Sequence, residues 1–231
     1  MVRPAKAEFC PAKGGRDGVA SGPMPLEFLI AAFVTLLVVV DPVGLVPSFL
    51  GITTGLPPQA RRHVALRAAL IAAGILGGSA LVGDWLLRTL SITLPAFRIA
   101  GGLLLFSIAS EMVLGVRIDR QSREAEEAVE ERVRNIAAFP LAIPLMAGPG
   151  AITATVLLAG RSAGDLVLLG ALLGVIAAVL AICFVVFVLS VPIGRLMGNT
   201  GSTVLSRLLG VLLAALAVQY VIDGVRAALA G

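Results

Sequence analysis

Two membrane-length apolar runs of this chain are each interrupted by a proline-glycine break. Asp41-Pro42-Val43-Gly44 lies inside the run Phe28 to Leu56, and Gly148-Pro149-Gly150 lies inside the run Ile136 to Gly160. Lipid hydrocarbon offers no partner to a freed backbone group, so a broken helix is tolerated at that depth only where protein or a wet cavity supplies one. The paired interruptions predict two kinks that meet midway through the lipid and enclose a wet polar pocket between the halves.

Composition places the chain in a membrane. Of its 231 residues 58% are hydrophobic and 14% charged, and the mean hydropathy is +1.00. Soluble domains carry nearer a quarter charged residues. Runs of about 20 apolar residues, long enough to cross roughly 30 Å of hydrocarbon, predict six transmembrane helices: Leu26 to Leu50, Val64 to Gly83, Ala96 to Val116, Ile136 to Gly160, Leu166 to Leu189 and Thr203 to Ile222. The fold class is therefore all-α and polytopic. The first run, taken through Leu56, exceeds one straight span at about 1.5 Å per residue, which favours a helix that breaks.

The polar links between these runs hold Arg61-Arg62-His63, Asp84 to Pro95, Arg117 to Arg134, Arg161 to Asp165 and Arg195 to Ser202. The net charge of +4 is spread over these ends, which marks sidedness and not a nucleic-acid footprint. Links after the first, third and fifth spans collect most of the arginines and are read as cytoplasmic, with both termini outside. The tail 1–23, read as disordered, has no apolar core between its charges and a cleavage site, so it is no secretory signal, and Met24 is an alternative start. Cys10 and Cys183 make no disulfide case; Cys183 is read as a small buried hydrophobe.

An internal repeat organises the spans. Arg98, Gly101, Leu103 and Leu104 align with Arg207, Gly210, Leu212 and Leu213, and the same offset lays Gly115-Val116-Arg117 over Gly224-Val225-Arg226. Nearly the same offset lays Asp41-Pro42 over Gly148-Pro149 and Arg88 over Arg195. Each unit holds three spans, an odd number, so the second enters the bilayer inverted. The units are 24–117 and 136–231, joined by a charged linker 118–135. Inverted three-plus-three repeats recur in secondary transporters, with the site between discontinuous helices.

The stretch Val40 to Leu50, the segment Phe97-Arg98-Ile99-Ala100-Gly101-Gly102 and the stretch Pro140 to Ile152 resemble the MarC family. These are bacterial and archaeal inner-membrane proteins that include small neutral amino acid transporters. The resemblance, which runs from about Met24 to near the C-terminus, implies a multi-pass plasma membrane protein. Where the family usually has Asn after the glycine of the first motif, this chain has Leu45.

Asp41 is the leading site residue, because a carboxylate in the lipid costs several kcal/mol unless paired, hydrated or protonated. It is read as a coupling-ion ligand for H+ or Na+, or as a cap of the half-helix that begins at Pro42. Free N–H groups after Pro42 and Pro149 suit an anionic group of a solute. Gly44, Gly148 and Gly150 permit close approach of ligand or backbone, or else tight helix packing. Arginines at span ends ordinarily snorkel to the headgroups; Arg98 is the chosen exception, a partner for Asp41 or a solute carboxylate. Glu111 is expected to pair with Arg117 or Gln219. Thr53, Thr153, Thr155 and Ser110 are hydroxyl candidates, although such groups usually bond their own helix.

His63 stands alone, and the chain shows no metal-ligand spacing, Walker loop, dinucleotide fingerprint or Ser-His-Asp order. Neither a cofactor nor enzyme chemistry is expected. Trp85 fits an interfacial anchor. The expected function is secondary transport of a small solute such as a neutral amino acid, with membrane lipids, the solute and a coupling ion as partners. The alternative is a structural or regulatory membrane protein whose breaks only serve packing.

Overall fold

The computed structural model describes residues 25–117, 120, 146–162 and 165–230, and these contain helices and no strand. The helices of the described residues are, in chain order, α1 Pro25–Val40, α2 Val46–Ile52, α3 Pro58–Thr89, α4 Leu94–Leu114, α5 Pro149–Arg161, α6 Leu166–Val188 and α7 Ser190–Ala230. Prolines sit in the first turns of α2, α3, α4 and α5, where the missing N–H has no intrahelical use and the fixed φ is already helical. Thr93 caps α4 through Ala96 N at 3.3 Å, and Asp165 caps α6 through Val167 N at 2.8 Å. Gly115 ends α4 in the left-handed region at φ 80, the conformation that glycine enters without a Cβ penalty.

Among the described residues, four helices are long and apolar enough to cross a membrane, Pro58–Thr89, Leu94–Leu114, Leu166–Val188 and Gly201–Ala230, and Leu26–Val40 is a shorter apolar helix. The second, third, fifth and sixth expected spans fall on these four. The first is split into α1 and α2 by the segment Asp41 to Leu45. Of the fourth, only the part from Met146 lies in the described residues, as do none of the tail 1–23 and, of the linker, only Arg120.

Three expected links are helical instead. Arg61-Arg62-His63 and Asp84 to Thr89 belong to α3, and Arg195 to Ser202 belongs to α7. A helix of 32 residues is about 48 Å long, enough to carry polar ends through the headgroup layers as well as the hydrocarbon. In α7 the interruption is a single residue, Gly198, at φ 59 and ψ −177.

The two helices that border the breaks form the centre. Ala32, Leu36, Val39 and Val40 of α1 and Ala151, Ala154, Leu157 and Leu158 of α5 are buried, whereas Leu70, Trp85, Leu103 and Leu208 of α3, α4 and α7 are exposed. The outer helices thus keep apolar faces outward, as a lipid solvent requires. Glycines let the helices close. A Cβ on Gly101 would stand 2.8 Å from Thr153 Cγ2, and one on Gly83 2.8 Å from Val156 Cγ2, so α4 and α3 press directly on α5. Along α4, Ile99, Gly102, Met112 and Gly115 meet Gly224, Ala217, Gly210 and Arg207 in turn. The order runs backwards, so α4 and α7 are antiparallel.

Candidate functional site at the first helix break

The break begins with a strained residue. Asp41 adopts φ 51, a left-handed conformation that Asp enters more readily than most side chains because its carboxylate bonds locally. Here that bond is made: Gly44 N donates to Asp41 Oδ1 at 3.0 Å. The Asp41 N–H still donates to Leu37 O at 3.0 Å, and Leu45 N donates to Asp41 O at 3.2 Å. The Asp41 carboxylate thus closes the turn Asp41 to Gly44, whereas α2 begins only at Val46 with Leu45 at its N-cap and no side-chain cap bond, so Asp41 does not cap a helix that begins at Pro42.

Distant elements complete the site. Ser206 of α7 donates its hydroxyl to Asp41 Oδ2 at 2.6 Å, and Ser202, one turn earlier, donates to Val43 O at 3.2 Å. Arg117, just beyond α4, donates Nη2 to Val39 O at 2.9 Å. In an unbroken helix that carbonyl would accept from Val43 N. Gly44 N, Val39 O and Val43 O are thus paired with side chains, as hydrocarbon demands of a freed backbone group. Asp41 is 3% exposed and Arg117 8%, and the carboxylates of Asp41 and Glu111 both act electrostatically on the guanidinium.

Gly44 has no room for a side chain, since a Cβ there would run into the Asp41 carboxylate and lie 2.6 Å from Ser206 Oγ. Pro42 is buried beside it. At the second break Gly148 precedes α5 with φ −65 and ψ 170, and Pro149 opens the helix. Pro149 is exposed, and Gly150 is buried; a Cβ on Gly150 would stand 3.4 Å from Val39 Cγ1. The start of α5 therefore packs on the end of α1.

Among the described residues, the cavity beside both breaks is apolar, where a wet pocket is expected. Leu45 and Met146 share a cavity of about 20 Å³ whose other walls include Phe49, Val64 and Phe187. These walls are large apolar side chains, and Phe49 stacks on Phe187 with ring centroids 4.3 Å apart. Leu45, standing where the resembled family has Asn, is one of those apolar walls. A larger cavity of about 80 Å³ lies on the other side of α2, against the Gly198 kink, lined by Val43, Val46, Pro47, Ile193, Gly194 and Ser202. The hydroxyl oxygens of Ser48, Thr155 and Ser190 are buried without a partner in the protein.

Arg98 is not beside Asp41. It stands in the first turns of α4, at the far end of a helix about 30 Å long from Arg117. There Arg98 belongs to a second polar cluster. Arg161 at the end of α5 lies 3.7 Å from Asp223 Oδ2 and 4.9 Å above the Tyr220 ring, and Arg98 and Thr35 both act on Tyr220. Glu111 pairs with Arg120 at 2.8 Å, and Gln219 donates to Asp223 at 2.7 Å. Thr53 and Ser110 bond their own helices, to Phe49 O at 2.7 Å and Phe106 O at 2.9 Å.

Arg117, Ser202 and Ser206 are the members that sequence reasoning left out. Arg117 was assigned to the headgroups, but Gly115 turns the chain at the end of α4 and Arg117 is carried inward. The signal was present as a glycine two residues ahead of the arginine. For the serines it was the four-residue spacing, which puts both on one face of a helix.

A family profile described as MarC family integral membrane protein matches residues 26–229. The chain belongs to the MarC family. An Archaeoglobus fulgidus relative, named UPF0056 membrane protein, is 39% identical over 202 residues, 86% of this chain and 92% of its own. Escherichia coli YhcE is 35% identical over 84% of this chain and 90% of its own, and Bacillus subtilis YvbG is 32% identical over 88% and 96%. No solved structure matches. The MarC profile and these bacterial and archaeal relatives, together with the four apolar helices, make this chain a multi-pass integral membrane protein.

Proposed function

We propose that this MarC protein is a secondary transporter of a small solute, such as a neutral amino acid, with H+ or Na+ as the coupling ion at Asp41. One observation carries the reading: a carboxylate inside an apolar helix run sits at a helix break and is held by Ser206 from the last span. An intramembrane ionisable group at an irregular backbone segment is the usual mark of an ion or solute path. The two halves 24–117 and 136–231 are inverted three-span units in this reading, six spans in all. The antiparallel seam of α4 and α7, with Gly210 and Gly224 facing α4, supports this layout. Both termini lie outside a bacterial or archaeal plasma membrane, and the arginine-rich links face the cytoplasm.

In this reading the conformation is occluded, because Asp41 is sealed by its own chain. The cavity beside Ser202, at about 80 Å³, has room for several waters, since one water needs roughly 10–15 Å³ of such space. Opening requires α7 to release Asp41.

A non-transporting, structural role has one observation in its favour, namely that both carboxylate oxygens of Asp41 have partners within the chain. Counterflow of radiolabelled alanine or glycine in proteoliposomes separates the two. Transport predicts exchange above empty liposomes for the wild type and loss of most of it in Asp41→Asn. Wild-type flux equal to empty liposomes across a solute panel selects the structural role.

A further inference from the structure

We propose that the C-terminal end of α1 is a monovalent-cation site which, in this conformation, the chain fills with its own Arg117. The end of a helix carries the negative pole of the peptide dipoles, and here a carboxylate, Asp41, follows the last residue of α1. The break frees the Val39 carbonyl, and Ser206 Oγ stands 2.6 Å from Asp41 Oδ2. Backbone carbonyls of an unwound segment with carboxylate and hydroxyl oxygens are the ligand set that membrane carriers offer to Na+.

The occupant is an arginine tethered at a distance. Arg117 comes from 78 residues away to donate one nitrogen to Val39 O, while its Nη1 is buried with no partner. Satisfying one carbonyl requires a single neutral donor, and Thr or Gln would supply it without burying a charge. A guanidinium is explained by the negative charge of the locus. Glu111, which also acts on Arg117, is held by Arg120, so Asp41 is the carboxylate that this arginine balances inside the break. When Arg117 withdraws, a free cation of equal charge takes its place, and the two occupancies exclude one another. The site stands whether or not the protein transports; its use for coupling rests on the reading above.

Thermal unfolding of purified Arg117→Ala tests the site. Methylguanidinium or Na+ is expected to raise its melting temperature above that in choline chloride of equal ionic strength, by roughly 3–6 °C at tenfold the dissociation constant. Wild type, already filled, is expected to show no such shift, and neither is Asp41→Asn/Arg117→Ala. Equal melting in all salts, or an equal rise with neutral urea, overturns the proposal. If Arg117→Ala does not purify folded, Arg117→Lys and Arg117→Met decide: the lysine variant must melt higher, and a methionine variant that melts as high or higher overturns it. Rescue without solute flux in wild type removes the transporter reading alone, whereas flux without rescue removes the cation site alone.

Discussion

Ser206 and Asp41 are 165 residues apart in sequence and share a hydrogen bond of 2.6 Å between hydroxyl and carboxylate. The bond fastens the last span to the break in the first. An O–H donor to a charged acceptor at this length belongs to the stronger class of protein hydrogen bonds.

Ser206→Ala leaves Asp41 Oδ2 buried without its donor, which destabilises by about 1–3 kcal/mol. In a chain of this size the melting temperature in detergent falls by roughly 2–12 °C. Asp41→Asn in the Ser206→Ala background should show a coupling of about 0.5–3 kcal/mol against the single variants. Simple additivity would mean that the bond contributes nothing.

Gly44→Ala and Gly51→Ala form a controlled pair. A Cβ at Gly44 meets the Asp41 carboxylate and Ser206, whereas one at Gly51 meets nothing within 4 Å. The first substitution is expected to lower stability by about 1–3 kcal/mol through overpacking. The second should raise it by up to about 1 kcal/mol, since Gly51 lies in α2 and alanine is the better helix former. Equal melting temperatures for the two variants would contradict the crowding at the break.

Arg161→Ala should have a small effect by comparison. Its partner Asp223 is 3.7 Å away, and the two side chains are 34% and 33% exposed. Such a pair contributes about 0–1 kcal/mol, and added salt screens it over roughly 8–10 Å. The difference between wild type and Arg161→Ala should therefore shrink from low to high salt, while that of Ser206→Ala, inside the protein, should not. Salt-dependent loss at Ser206 instead would place that bond in water.

The seam of α4 and α7 shows how much of the fold was legible. Arg98, Gly101 and Gly115 aligned with Arg207, Gly210 and Gly224 in the sequence, and the fold places Gly102, Gly210 and Gly224 where the partner backbone comes within about 3 Å of an added Cβ. Small residues at helical spacing have one physical use in lipid, close approach, so the pattern carries structural meaning. The charged pairs were less legible. Whether Arg98 or Arg117 reaches the break depends on which end of α4 lies near the end of α1, and spacing along one helix is silent about its neighbours.

The sequence by itself determined that the chain crosses a membrane in apolar helices, that the first of these stops at Asp41-Pro42, and that Asp41 needs a partner there. Hydropathy, the missing proline N–H and the cost of a charge in hydrocarbon act locally, so they can be read residue by residue. Only the tertiary structure decided that Ser206 donates to Asp41 and Arg117 to the Val39 carbonyl beside it, and that Leu45, Met146 and Phe187 wall one small apolar cavity beside the breaks. Those choices follow from which helix faces meet, and many weak apolar contacts spread over distant segments set that.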